Sequence, residues 1–274
     1  MSSIALGQYY PSGSVMHRLD PRMKIIIGIA YIVASFLCTN VFSFVLLLLS
    51  AIVLIAVSRI PFKVIMRSIK AIVFIMLFTA VLNVFWTKGE ADELLFSWQF
   101  ISVYSSGIYN AAFIVVRIVS MIIGTSIFLT YTTTPIQLTD ALERLLSPLK
   151  VIKVPVHEFA MMMTIALRFI PTIVEETGKI MSAQKARGAD FTNGSLQKRA
   201  KALIPVLIPL FISAFRRAGE LATAMTCRCY RGGEGRTRMT KLTLTYRDFV
   251  ALFVIAAFIA GIVLLNIFAP GYSM

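Results

Sequence analysis

Residues 25–58 form a 34-residue stretch without a charged side chain, interrupted only by the polar pair Thr39-Asn40. No soluble core of ordinary size absorbs such a run. About 30 Å of hydrocarbon takes roughly 20 helical residues, so the stretch is read as a hairpin of two slightly short spans. One long span plus a re-entrant piece is the alternative. Comparable runs lie at residues 64–86, 107–131 and 249–268. Hydrophobic residues make up 58% of the chain and charged ones 15%. This is the composition of a polytopic membrane protein, and it excludes a soluble domain with one anchor. The expected fold is therefore all-α, with about five transmembrane helices.

The net charge of +14 would point to nucleic acid in a soluble protein. Here it reads as the cationic excess of cytoplasmic loops, and no nucleic-acid partner is expected. Arg18, Arg22 and Lys24 precede the first span and place the N-terminus in the cytoplasm. Asp20-Pro21 has the form of an N-cap followed by proline at the first helical position. Trp86 marks the far interface of the third span. Residues 87–106 carry Glu90, Asp92 and Glu93 against the single Lys88, as an outside loop should. Arg117 lies within the fourth span. An intramembrane charge is costly, so it is a functional candidate, or else it pairs across helices or faces a protein-lined interior. Five spans put the C-terminus outside. No apolar run begins near Met1, so a cleaved leader is not expected. Cys38, Cys227 and Cys229 are too scattered for a disulfide framework, and two histidines make a metal site improbable.

Between residues 132 and 247 the character changes, since 18 of the 27 Lys and Arg fall there. The chain therefore divides into residues 1–131, an N-terminal segment with four spans; 132–247, a cytoplasmic region of long amphipathic helices; and 248–274, the last span. Thr134-Pro135 opens an interfacial helix that Ser147-Pro148 closes. A second helix begins near Val156 and is expected to be interrupted at Pro171. A third runs from about Ser195 to Tyr230, bent at Pro205 and Pro209.

The region has no phosphate-binding loop, no HExxH and no GxSxG. Glu175 and Glu176 diverge by about 100° on a helix and cannot act as a pair. What remains is two long helices, each ending at an arginine between small neighbours: Ala186-Arg187-Gly188 and Cys227-Arg228-Cys229. From Pro171 to Arg187 the rise is about 24 Å. Ile173, Val174, Thr177, Ile180, Met181 and Gln184 form one mostly apolar stripe, and Met161, Met162 and Met163 add an adaptable apolar surface. A cation in the last turn interacts with the helix dipole, worth about 0.3–1 kcal/mol. Alternatively, each tip offers a bidentate donor to an acidic groove on a partner, and small flanking residues allow close approach.

At these residues the chain resembles the T component of energy-coupling factor (ECF) vitamin transporters, the CbiQ-like family. The resemblance covers HRLDPRMK before the first span and nearly all of residues 132–232, including TTTPIQLTDALERLLSPLK and HEFAMMMTIALRFIPTIVEETGKIMSAQKARGADF. Two Ala-Arg-Gly motifs end the coupling helices of that family. The first stands intact at Arg187, while the second keeps Arg228 between two cysteines. The resemblance implies a transmembrane coupling subunit of an ATP-driven vitamin importer in the bacterial cell membrane. Its partners would be two ABC-type ATPases, which bind the ATP and Mg, and a substrate-capturing S component. This chain would be non-catalytic and hold no cofactor. Arg187 and Arg228 would contact the ATPases. Met161, Met162, Met163, Leu207 and Phe211 are candidate S-component surface. A self-sufficient secondary transporter is the competing function, and it would need sites at mid-membrane in broken helices.

Overall fold

The structure, a computed structural model, describes residues 9–86, 94–98, 101–191, 195–232 and 242–268. The acidic stretch at 87–93, the basic segment at 233–241 and the last residues from 269 lie outside the described residues. The chain is helical: α1 (Pro21–Leu37), α2 (Val41–Ser58), α3 (Phe62–Trp86), α4 (Ser105–Thr125), α5 (Pro135–Leu145), α6 (Val156–Ala186), α7 (Leu196–Cys227) and α8 (Tyr246–Phe268). The exception is an antiparallel hairpin of β1 (Leu94–Trp98) and β2 (Ile101–Tyr104) between α3 and α4. Its Phe, Trp, Ile, Val and Tyr residues are strand formers, where the sequence alone suggests only an outside loop.

The described residues form two compact units, one built within residues 9–138 and 242–268, the other within 139–232. In the first, α4 packs on α1, α2 and α3, while α8 packs on α1 and α2. Thr39-Asn40 separates two distinct helices, α1 and α2, which decides for the hairpin reading of 25–58. Tyr31, Ala34, Phe44, Leu47, Phe128 and Ile262 form one buried cluster, and Ile65, Ile123, Ile127 and Tyr131 belong to a second. Glycine permits one close approach: a Cβ on Gly124 would lie 2.3 Å from the Tyr31 ring.

By length and apolarity alone, six helices among the described residues could cross a membrane: α2, α3, the helix continuing from α4, α6, α7 and α8. The five expected spans correspond to α1, α2, α3, α4 and α8. Helix α1, with 17 residues, is slightly short, and α6 and α7 enter the six because their exposed faces are so apolar. The protein is a multi-pass membrane protein.

Polar contacts fix both ends of the first unit. At one end, Asp20 accepts from the Arg22 amide at 2.9 Å and from its guanidinium at 2.8 Å. The buried Asp248 carboxylate accepts from the amides of Asp20, at 2.8 Å, and Thr245, at 2.7 Å. Buried Lys24 donates to the Thr132 carbonyl at 2.7 Å, just beyond a π-helical turn, Ser126–Tyr131, that extends α4. The Asp20 cap was legible in sequence. Its tie to the start of α8, 228 positions away, was not.

At the other end, Asn266 donates to the Leu37 carbonyl at 2.7 Å and accepts from Ser43 at 2.7 Å. Arg117 donates to the Cys38 carbonyl at 2.8 Å and lies 5.2 Å over the Phe44 ring. Backbone carbonyls at a helix C-terminus lack intrahelical donors and carry partial negative charge. The mid-span cation therefore pairs across helices with the end of α1, the structural alternative for Arg117.

Candidate functional site

The second unit is built on α6 and α7. Helix α5 opens with a reciprocal cap: the Gln137 amide donates to Thr134 Oγ1 at 3.3 Å, and the Thr134 amide to Gln137 Oε1 at 3.1 Å. This is the capping-box arrangement with glutamine at the third position. His157 on the first turn of α6 bonds Glu143 of α5 at 3.0 Å. Helix α6 then runs unbroken for 31 residues through Pro171, so the expected interruption is absent. Proline forfeits one backbone hydrogen bond, but long helical stretches on both sides carry the helix across it cooperatively. Helix α7 starts from Ser195, whose side chain caps the Lys198 amide, and likewise continues through Pro205 and Pro209. It ends at Cys227, not Tyr230.

Both helices end in the same way. Arg187 closes α6 with φ −87° and ψ 8°, and Arg228 closes α7 with φ −91° and ψ 16°. The next residue turns left-handed in each: Gly188 at φ 88° and Cys229 at φ 54°. The Gly188 amide donates to the Lys185 carbonyl at 3.0 Å, and the Ala189 amide to that of Gln184 at 3.0 Å. At the other tip, Cys229 donates to Thr226 at 2.9 Å and Tyr230 to Met225 at 3.0 Å. These paired bonds are the Schellman motif. The two arginine-ended segments are thus one backbone structure formed twice. Ala186, Arg187, Gly188, Cys227, Arg228 and Cys229 are all exposed.

The two tips lie at opposite ends of the helix pair. Glu176 of α6 accepts from Ser213 at 2.5 Å and from Arg217 at 2.8 Å on α7. Met161 and Ile165, earlier on α6, share a groove with Met225 and Arg228, late on α7. The helices therefore run antiparallel, braced near the middle. Arg187 is 11 residues beyond Glu176, and Arg228 is 11 beyond Arg217. At 1.5 Å per residue, the tips are separated by up to roughly 35 Å.

The Glu176 brace was missed in sequence. A signal existed: Glu176 is three residues after Ile173 and four before Ile180, on the apolar stripe itself. Glu175 points elsewhere and pairs with Lys179 at 2.8 Å on the surface, so the two carboxylates diverge as expected.

The candidate apolar surfaces divide differently. Met162 and Met163 are exposed, whereas Met161 is half-buried in the groove beside Arg228. On α7, Leu207 is 60% and Phe211 66% exposed. They belong to a stripe with Leu203, Ile204, Ile208, Ile212 and Phe215, all exposed. An apolar face of this extent marks an interaction or membrane surface.

Residues 12–239 match the sequence model of the CbiQ family, described as cobalt transport protein. The chain is 53% identical over 251 residues to the energy-coupling factor transporter transmembrane protein EcfT of Clostridium kluyveri, covering 92% of each. It is 50% identical over 263 residues to the protein of the same name from Ruminiclostridium cellulolyticum, covering 96% of this chain and 97% of that one. To the Bacillus subtilis EcfT it is 48% identical over 260 residues, covering 94% and 97%.

Proposed function

The chain belongs to the CbiQ family and is a transmembrane T component of the energy-coupling factor transporters, and from that premise we propose that α6 and α7 are a braced lever that carries ATP-driven motion. Two partner ATPases each receive one arginine tip. The chain itself is non-catalytic, and ATP and Mg are bound and hydrolysed by those partners. A separate S component captures a vitamin and is reoriented when the lever moves. The cell membrane is the site of action, with the N-terminus cytoplasmic and the C-terminus outside.

One observation carries this reading: two equivalent arginine-ended tips, exposed and held at opposite ends of one helix pair. The helix dipole rewards a cation in a last turn with about 0.3–1 kcal/mol, but it requires neither small neighbours nor repetition of the motif. Each guanidinium suits a bidentate carboxylate acceptor. A brace between the tips makes displacement at one end felt at the other. The exposed stripe along α7, with Leu207 and Phe211, and the outward pair Met162 and Met163 offer the S component an apolar surface. Met161, half-buried in the groove beside Arg228, sits with the second arginine tip.

The test is purification of the tagged chain from its native membrane, with mass spectrometry of what accompanies it. Wild type is expected to bring two ABC-type ATPases and one or more small membrane proteins, whose identity names the cargo. The double variant Arg187→Glu, Arg228→Glu is expected to lose the ATPases while keeping the membrane proteins. Absence of ATPases from wild type, or full retention by the double variant, would overturn the coupling role of these tips.

A further inference from the structure

Away from the arginine tips, an apolar cavity of about 400 Å³ opens between α1, α2 and α8 in the first unit. It follows one face of α8: Tyr246, Arg247, Val250, Val254 and Phe258 all line it. The span from Tyr246 to Phe258 is 12 helical steps, about 18 Å at 1.5 Å per residue. One leaflet of a 30 Å hydrocarbon core is about 15 Å deep, so the groove has the length of one lipid chain. Its walls are carbon almost throughout. The exception deep within it, Ser50, has its hydroxyl engaged with the Leu47 carbonyl at 2.6 Å and with the Tyr31 hydroxyl at 3.1 Å.

The polar end of the groove is cationic. Arg247 sits there in the first turn of α8, with its guanidinium 5.7 Å from the centre of the Tyr246 ring. Among the described residues it forms no ion pair. The nearby acids are otherwise engaged: Asp20 holds Arg22, and Asp248 is turned inward on two backbone amides. Exposed Arg18 lies on the short helical turn Val15–Arg18, which supplies Val15 and Met16 to the groove. An aromatic and an arginine at the end of an apolar span are interfacial anchors. Basic pockets between transmembrane helices are suited to anionic lipid headgroups.

We propose that this groove is a binding site for an anionic phospholipid of the surrounding membrane, with one acyl chain along α8 and the phosphate on Arg247. The lipid fills a cavity in the middle of a span-to-span contact and joins α8 to α1 and α2. This site is independent of the ATPase reading, and its test needs no partner.

The test is native mass spectrometry of the full chain in detergent, titrated with phosphatidylglycerol or with phosphatidylcholine of the same acyl chains. Wild type is expected to retain phosphatidylglycerol at least fivefold better. Arg247→Gln is expected to abolish that preference, whereas Ala251→Trp, which fills the groove, is expected to reduce retention of both lipids. Lys63→Gln, at an exposed cation that does not line the groove, is the control for general surface charge and is expected to change the preference by less than twofold. Equal retention of both lipids by wild type would overturn the proposal. So would a preference that survives Arg247→Gln, or binding of both lipids undiminished by Ala251→Trp in a variant with wild-type thermal stability. If Ala251→Trp does not fold, Val254→Phe repeats the filling test with a smaller ring.

Discussion

The residue after each arginine should govern whether the tip holds its shape, and the two tips should respond in opposite directions. Gly188 stands at φ 88°, and a Cβ added there meets nothing within 4 Å. The cost of Gly188→Ala is therefore conformational alone. A left-handed L-residue costs roughly 1–2 kcal/mol, and the chain entropy that glycine alone regains on fraying offsets about 0.5–1 kcal/mol of it, so the closed tip should be about two- to fivefold less favoured over its frayed form. Cys229 already bears that strain at φ 54°. Cys229→Gly relieves it, but glycine gains chain entropy in the frayed state worth about 0.5–1 kcal/mol. The net gain should be only about 0.5 kcal/mol, roughly a twofold shift. Amide hydrogen exchange reads both effects. Exchange at residue 188 and Ala189, whose amides close on Lys185 and Gln184, should accelerate about two- to fivefold in Gly188→Ala. Exchange at residue 229 and Tyr230 should slow about twofold in Cys229→Gly. ATPase co-purification should fall in the first variant and hold or rise in the second. Unchanged exchange in Gly188→Ala would refute the claim that the left-handed residue sustains the motif.

Three further outcomes test contacts within each of the two units. Glu176→Ala should broaden the distance between spin labels placed near the two tips and cost about 1–2 kcal/mol, since charged hydrogen bonds are worth about 1.5–3 kcal/mol before discounting for partial exposure; a double-mutant cycle with Arg217→Ala should show coupling between the two. Gly124→Ala would place a methyl 2.3 Å from a buried ring that is also bonded to Ser50 and stacked on Phe258. Overpacking of this kind costs about 1–3 kcal/mol, and a melting temperature equal to wild type in detergent would contradict the geometry. Asp248→Ala should destabilise by about 2–4 kcal/mol, because two backbone amides lose a buried acceptor, with Asp248→Asn recovering part of the loss.

Several of these features were legible in the sequence because their causes are local. Asp20-Pro21 and Thr134-Pro135 announce helix starts through cap chemistry confined to a few residues. Arg187-Gly188 announces a helix end because glycine tolerates a left-handed backbone. Spans are legible because hydrocarbon thickness sets their length. The second tip was harder, since Cys229 takes the left-handed position without being glycine. Pro171 misled because local propensity takes no account of helix cooperativity.

By itself, then, the sequence determined which segments are helical and apolar, where most of them start and stop, and that two long helices end at arginines. Tertiary structure alone decided what those helices do to each other. That Glu176 meets Ser213 and Arg217, that Asp248 caps a turn 228 positions away, and that Arg117 finds the carbonyl of Cys38 all depend on contacts between segments distant in the chain. Such contacts leave no periodicity to read. They exist because buried carboxylates, amides and carbonyls must find partners wherever packing delivers them.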